Sequence, residues 1–375
     1  MILNGWNQIL GRLRPAKDRI GIMDKVRLGV IGTGRLGGFH ASKAAANPDV
    51  EFVGVSDVCE ATRKRVAEQH GVAEYDSVAG LLEHVDAVVV ATPSVLHAEI
   101  GRQVLRAGKH LLMEKPVTTS AQTALELANL AREKKLVMQV GHVEQHNPAW
   151  RAALERLQDV RAGLEPVMVD AVRTSGYTFR STDVGATFDL MIHDLELVLS
   201  LIPSEVERVA AFGVTQLGGF EDSSYATLLF ANGSVARLKA SRVEQNAVRQ
   251  MTIQAATKTI KVDFAARSAT MIRPKSEILD GRFSPDSVTL AEMAPRVSTF
   301  MKDEYETEEL VHDPVDALAL EMQNFVSAIL RGEKSVVPGE RAAQAVVVAE
   351  EILRDLQARA RKAAAPQKRT LRIAG

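Results

Sequence analysis

The chain has 375 residues, 46% of them hydrophobic and 25% charged, with a formal net charge of −1. That length suits two domains with sizeable cores, and the balanced charge offers no global field to nucleic acid or to an anionic membrane. A single cysteine, Cys59, excludes an internal disulfide and a thiolate metal cluster within one chain. With no apolar run near the ~18 residues of a membrane helix, a cytoplasmic location is expected.

Residues 1–23 read as an N-terminal extension. Ile2, Leu3, Trp6, Ile9, Leu10 and Leu13 are apolar, but Arg12, Arg14 and Pro15 interrupt them, the wrong order for a signal peptide. The segment is either an over-extended start or loose tail, or a docking helix for another subunit.

From 24 to 146, strands and amphipathic helices alternate. Strands are expected at 26–31, 50–55, 86–91, 109–113 and 136–140, and helices at 36–46, 60–69, 98–107 and 121–134. Gly108 stops the third of these helices. The run Asp86-Ala87-Val88-Val89-Val90-Ala91 is apolar without alternation, as in a strand buried on both faces. Strands separated by helices of ten or more residues imply βαβ units and a parallel sheet. The fold class is therefore α/β, with an N-terminal Rossmann doubly wound sheet.

The style changes at 147. A helix at 148–157 leads into strands at 166–173, 206–214, 225–230, 235–242, 251–254 and 259–264. Asn232-Gly233 between two of them is a two-residue hairpin signal. Helices follow at 315–332 and 339–357. The second domain, 147–357, is expected to be α+β with a mostly antiparallel open sheet. The basic tail at 358–375 carries six Lys or Arg and no acid, and is expected to be solvated.

Three constellations carry chemistry. In Gly32-Thr33-Gly34-Arg35-Leu36-Gly37, the first glycine permits a tight turn and the second a close approach to a pyrophosphate. The third allows helix–strand packing, and the helix start presents free amides to phosphate. Asp57, 20 residues beyond Gly37, is placed to accept ribose hydroxyls. It favours NAD over NADP, although Arg35 and Arg63 leave NADP open. Next, Glu114-Lys115-Pro116 places a lysine at the carboxyl end of a strand, where open α/β sheets bind ligands. Lastly, Asp189 and His193 are i and i+4 on a helix, so a carboxylate can orient the ring and stabilise its charge. Such a pair can take a hydroxyl proton, while Asp194 points elsewhere, to a cap or a partner. His97, after Thr92-Pro93, opens a helix near the cofactor or merely closes a helix-end hydrogen bond. His142-Val143-Glu144-Gln145-His146 alternates like a metal-binding strand face. No cysteine supports that, so no metal is assigned, and His142 and Glu144 are candidate substrate contacts.

These motifs, in this order, resemble the glucose–fructose oxidoreductase and inositol dehydrogenase (Gfo/Idh/MocA) family from about Lys25 to Leu356. The marks are the glycine turn, Ala91-Thr92-Pro93 with His97, Glu114-Lys115-Pro116, and Asp189-x-x-x-His193. The resemblance implies NAD- or NADP-dependent oxidation or reduction of a secondary alcohol on a sugar or cyclitol. Lys115 would touch nicotinamide and substrate, His193 would be the general acid/base, and Asp189 would assist it. The cofactor would be held by Gly32, Thr33, Gly34, Arg35, Leu36, Gly37, Asp57, Thr92, Pro93, His97, Glu114 and Lys115. A homodimer or homotetramer through the second sheet is also implied.

The stretch from Arg180-Ser181-Thr182-Asp183 to His193-Asp194 is similar to members near lipid A synthesis that oxidise the 3-hydroxyl of UDP-N-acetylglucosamine. Arg173 and Arg180 would then suit a diphosphate. Glu144-Gln145-His146-Asn147-Pro148 departs from the Glu-Arg-Phe-Asn-Pro of such members, which would change the pocket floor. Other readings of the same residues are a non-catalytic NAD(H) sensor, an enzyme that cleaves glycosides with transient use of NAD, and a reductase of dihydrodiols or linear tetrapyrroles.

Overall fold

The computed structural model describes residues 24–179 and 182–364. The expected extension at 1–23, Arg180, and 365–375 of the expected tail lie outside them.

Six strands form the first sheet: β1 (Val26–Ile31), β2 (Val50–Ser56), β3 (Ala73–Tyr75), β4 (Ala87–Val90), β5 (His110–Glu114) and β6 (Met138–Gly141). Their order is β3-β2-β1-β4-β5-β6 and every pairing is parallel. The order reverses between β1 and β4, so a ligand crevice opens at the carboxyl ends of these strands. Val88, Val89 and Val90 are 0% exposed, as the unbroken apolar run requires. The helix α1 (Arg35–Ala46) follows β1, and α2 (Glu60–His70) follows β2. A later helix, Ala317–Arg331, returns to this sheet and buries Met322, Phe325 and Val326 in one cluster with Val26, Leu28 and Val30 of β1.

The second sheet holds β7 (Met168–Thr174), β8 (Val206–Val214), β9 (Ser223–Phe230), β10 (Val235–Ser241), β11 (Val248–Gln254), β12 (Thr259–Asp263), β13 (Ser268–Pro274) and β14 (Tyr305–Glu309). Its order is β14-β13-β12-β11-β7-β10-β9-β8. Every pairing is antiparallel except β7 with β10. Gly233 adopts φ +83° in the β9–β10 hairpin, as the Asn-Gly signal requires.

Helices Ile192–Leu201 and Gly339–Ala364 pack on one face of this sheet, and the longer one also packs on the helix Ala121–Glu133 of the first layer. That longer helix runs to Ala364 rather than ending at 357, because the Ala-, Arg- and Lys-rich stretch after Gln357 propagates helix readily. β3, β13, β14 and the helix Leu290–Glu304 were not expected from the sequence.

Candidate active site

The cofactor cradle is built from backbone. Gly32 sits at φ +89°, where a Cβ would lie 2.7 Å from the Ala91 carbonyl oxygen, and a Cβ on Gly37 would lie 1.8 Å from that of Gly32. Both glycines are thus demanded by the protein's own packing. Gly34 differs, since a Cβ there meets nothing within 4 Å. The space over Gly34 is open to a ligand. Gly34 is also the N-cap of α1 and brings no side-chain cap, which leaves first-turn amides for a pyrophosphate.

Asp57 follows β2 and accepts the Thr33 amide at 2.6 Å, the Thr33 hydroxyl at 2.9 Å and the Cys59 amide at 2.8 Å. Its carboxylate is fixed beside the glycine turn, where a ribose would lie. Arg63 donates to Glu74 and to the Asp57 carbonyl, and Arg35 lies over the Phe39 ring. These residues fit an NAD adenosine half.

The loops after β4 and β5 are tied together by His97. Its Nδ1 lies 2.8 Å from the Pro116 carbonyl and its Nε2 3.0 Å from that of Thr92. His97 is 1% exposed, and burial pushes its pKa down despite the two carbonyls. It opens the helix His97–Arg106 as expected, but it acts by setting Thr92, Pro93 and the Lys115-Pro116 turn in place rather than by facing a ligand. Ser94 in the same loop donates to Asp183.

Glu114 is nearly buried and pairs with His40 of α1 at 2.7 Å. Burial would raise its pKa, yet the bond from His40 and the charge of Lys115 bring it below the usual carboxyl range. Glu114 therefore anchors the strand end on which Lys115 stands. His40 was missed in the sequence, 74 residues away. A second buried carboxyl, Glu321, has no hydrogen-bond partner for either oxygen among the described residues, and burial followed by the nearby Glu114 raises its pKa well above the usual range.

One widened π-helical turn, Thr187–Met191, runs into the helix Ile192–Leu201. Lys115 Nζ donates to the Asp189 carbonyl at 2.7 Å and lies 3.4 Å from its carboxylate. The sequence pairing of Asp189 with His193 is corrected here. The Asp189 carboxylate turns to Lys115, and His193 Nδ1 is buried with no hydrogen-bond partner among the described residues. Nor is the ring charged: burial, then Lys115 and Arg173, push its pKa well below the ordinary value. His142 meets it edge-to-face at 6.2 Å.

Three further expectations change. Arg173 is buried, held by Asp194 at 2.8 to 3.2 Å and by Glu144 at 2.8 Å. Its guanidinium is therefore occupied by carboxylates rather than free for a diphosphate, and Glu144 serves that clamp instead of a substrate. Asp194 is a buried partner of Arg173, not an outward cap.

His142 is 2% exposed, with its pKa pushed down to about 3 by burial and then Lys115 and Arg341. It backs His193 rather than lining the cleft. The His142–His146 segment is no strand face, because β6 ends at Gly141 and Val143–His146 forms a 3₁₀ turn. Among the described residues no group of His, Cys, Asp and Glu is arranged to hold a metal. Gln145, at one of the departures from the similar sequences, bonds Glu196, Ser200 and Trp150 in the core, and His146 is buried too. Neither forms the pocket floor.

A cleft of about 460 Å³ joins these groups. Leu36 of α1, Lys115, Asp189, His193, Tyr177, Thr178, Arg242 and Arg249 are among the residues that line it. Arg242 and Arg249 were not singled out in the sequence.

A doubly wound sheet with a dinucleotide cradle at one end of such a cleft defines an oxidoreductase that binds a nicotinamide dinucleotide. Comparison with known proteins agrees. Residues 26–142 match the model of the oxidoreductase family with NAD-binding Rossmann fold, GFO/IDH/MocA, and residues 161–261 match the C-terminal domain model of the same family.

The UDP-N-acetylglucosamine 3-dehydrogenase of Acidithiobacillus ferrooxidans is 37% identical over 242 residues, covering 64% of this chain and 75% of that protein. Its crystal structure superposes with a TM-score of 0.75 at 30% identity, covering 89% of this chain and 98% of that one. An inositol 2-dehydrogenase of Rhizobium meliloti is 27% identical over 88% of this chain and 97% of its own. The chain belongs to the Gfo/Idh/MocA family and is an NAD-binding oxidoreductase acting on CH–OH groups.

Proposed function

We propose that this protein is an NAD-dependent dehydrogenase of a sugar or nucleotide sugar, with the 3-hydroxyl of UDP-N-acetylglucosamine as its candidate target. The observation that carries this reading is the meeting of Lys115, Asp189 and His193 in one cleft with Leu36 of the glycine motif. The similarity to the Acidithiobacillus enzyme supports the choice of sugar. The departures at Gln145 and His146 do not argue against it, since both side chains are buried in the core.

Gly32, Thr33, Gly34, Arg35, Leu36, Gly37 and Asp57 would hold the dinucleotide, whose nicotinamide supplies the hydride acceptor when bound. Lys115, steadied by Asp189, donates a hydrogen bond to the substrate oxygen and favours its deprotonation. His193 is neutral at pH 7 and neither ring nitrogen has a hydrogen-bond partner among the described residues. It is therefore free to accept the hydroxyl proton. Asp189 acts through Lys115, as a positioning residue.

With NAD and UDP-N-acetylglucosamine, the protein is expected to form reduced nicotinamide. Lys115→Met keeps NAD affinity and loses roughly 10²-fold or more in turnover; near-normal turnover would remove Lys115 from the mechanism. His193→Ala loses a similar factor, and an unchanged pH–rate profile would remove His193.

A homodimer or homotetramer in the cytoplasm completes the proposal. Phe212 and Tyr225 stand 63% and 49% exposed on the uncovered face of the second sheet, an apolar surface of the kind that interfaces cover. Light scattering of Phe212→Glu should report a smaller particle than wild type; an unchanged mass would move the interface elsewhere.

A further inference from the structure

Arg173, Arg242 and Arg249 all line the cleft, but their surroundings differ. Arg173 is neutralised by Asp194 and Glu144. Arg242 pairs with Asp222 at 2.8 Å and lies over the Tyr177 ring. Arg249 is exposed, and no carboxylate among the described residues pairs with it.

Its position in β11 makes this unusual. Side chains two apart share a face of a strand, so Arg249 continues the row of Met251 and Ile253, each 1% exposed. Directly opposite on β7 stands Arg173, which continues the buried row of Val169 and Ala171. A cation thus occupies a core-row position, opposite a guanidinium already satisfied by two carboxylates of its own. It stays in water only because the cleft opens there. Ser175, Tyr177 and Thr178 beside it offer hydroxyl donors.

We propose that Arg249, with these hydroxyls, is the subsite of the cleft that holds the phosphate groups of the substrate. A planar guanidinium grips phosphate oxygens bidentately. Arg249 is a specificity-determining residue in a role that the sequence resemblance gave to Arg173 and Arg180. The inference rests on the reading that the substrate is a nucleotide sugar.

The test uses the full chain, with UDP as the probe in calorimetry and UDP-N-acetylglucosamine in kinetics. Arg249→Gln should weaken UDP about 10- to 100-fold, the loss of one charge-assisted contact. KM for the sugar nucleotide should rise by a similar factor with kcat nearly unchanged, and Arg249→Lys should recover part of the loss. NAD affinity should not move, which separates substrate phosphate from cofactor pyrophosphate.

Equal UDP affinity in wild type and Arg249→Gln overturns the subsite, as does a wild type that does not bind UDP. If UDP binding depends on Arg249 but no nicotinamide is reduced with the sugar nucleotide, the subsite stands and the proposed reaction falls. If the reaction proceeds with an unchanged KM in Arg249→Gln, the reaction stands and the subsite falls.

Discussion

At the cofactor end of the cleft, Thr33, Asp57 and Thr62 bind one another across 24 and 29 residues of sequence, and the turn between them is dictated by two glycines with no room for a Cβ. Around Lys115 and His193, Arg173, Glu144 and Asp194 come from a strand, a 3₁₀ turn and a helix, while His142 and His193 each keep a buried ring nitrogen with no hydrogen-bond partner among the described residues. The first end is a self-consistent backbone cradle waiting for a ligand. The second is a set of charges that only the tertiary fold brings together, with polar groups left unsatisfied where chemistry is to occur. Binding and reaction are thus built by different means within one cleft.

The sharpest way to break this contrast is Arg173→Met. If Arg173 is a structural clamp, its removal leaves two carboxylates without their cation, and a buried pair broken in this way costs about 3–5 kcal/mol. Urea unfolding should show that loss. A variant of wild-type stability that instead lost UDP binding would return Arg173 to the ligand.

A smaller effect separates two glycines of the cradle. Gly37→Ala forces a Cβ into the Gly32 carbonyl and should destabilise by about 1–3 kcal/mol or more. Gly34→Ala meets only open space, so it should melt like wild type and yet bind NAD more weakly in calorimetry. Equal behaviour of the two variants would deny that Gly34 faces the ligand.

The smallest effect concerns pH. His142 and His146 have pKa values pushed down to about 3 and about 4, by burial first and neighbouring cations second. The unfolded chain therefore binds more protons than the native one below the ordinary histidine range. Stability is complete above about pH 6.5 and falls as pH drops toward those values, by up to about 1.4 kcal/mol per pH unit for each ring. Glu321, raised by burial and Glu114, has the opposite sign and loses stability as pH climbs above the unfolded carboxyl range. His142→Gln should flatten the decline between pH 6.5 and 5 in urea titrations, while an unchanged slope would mean that the ring is charged when folded.

Much of the fold was legible because each βαβ unit carries its own periodicity and its own turn residues. Strand β4 announced itself by unbroken valines, and the β9–β10 hairpin by Asn232-Gly233. β14 did not, since Tyr305–Glu309 is a charged edge strand without alternation. The parallel pairing of β7 with β10 joins strands about 60 residues apart, and no local pattern encodes it.

In the site, Lys115, Asp189 and His193 were found by motif, and the structure brings them together. Their wiring was not legible. Spacing on a regular helix pairs Asp189 with His193, whereas the π-turn and Lys115 redirect that carboxylate. The ion pairs of Arg173, and of His40 with Glu114, depend on contacts between distant elements. Arg249 did leave a signal, a cation in the alternating row shared by Met251 and Ile253, though it reads as functional only once the cleft is seen beside it.

The central claim is hydride removal from C3 of the sugar beside Lys115 and His193. UDP-N-acetylglucosamine carrying deuterium at C3, turned over with NAD and followed by mass spectrometry, tests it directly. One deuterium is expected in the reduced nicotinamide. Substrate consumed with the label still on the sugar would contradict it.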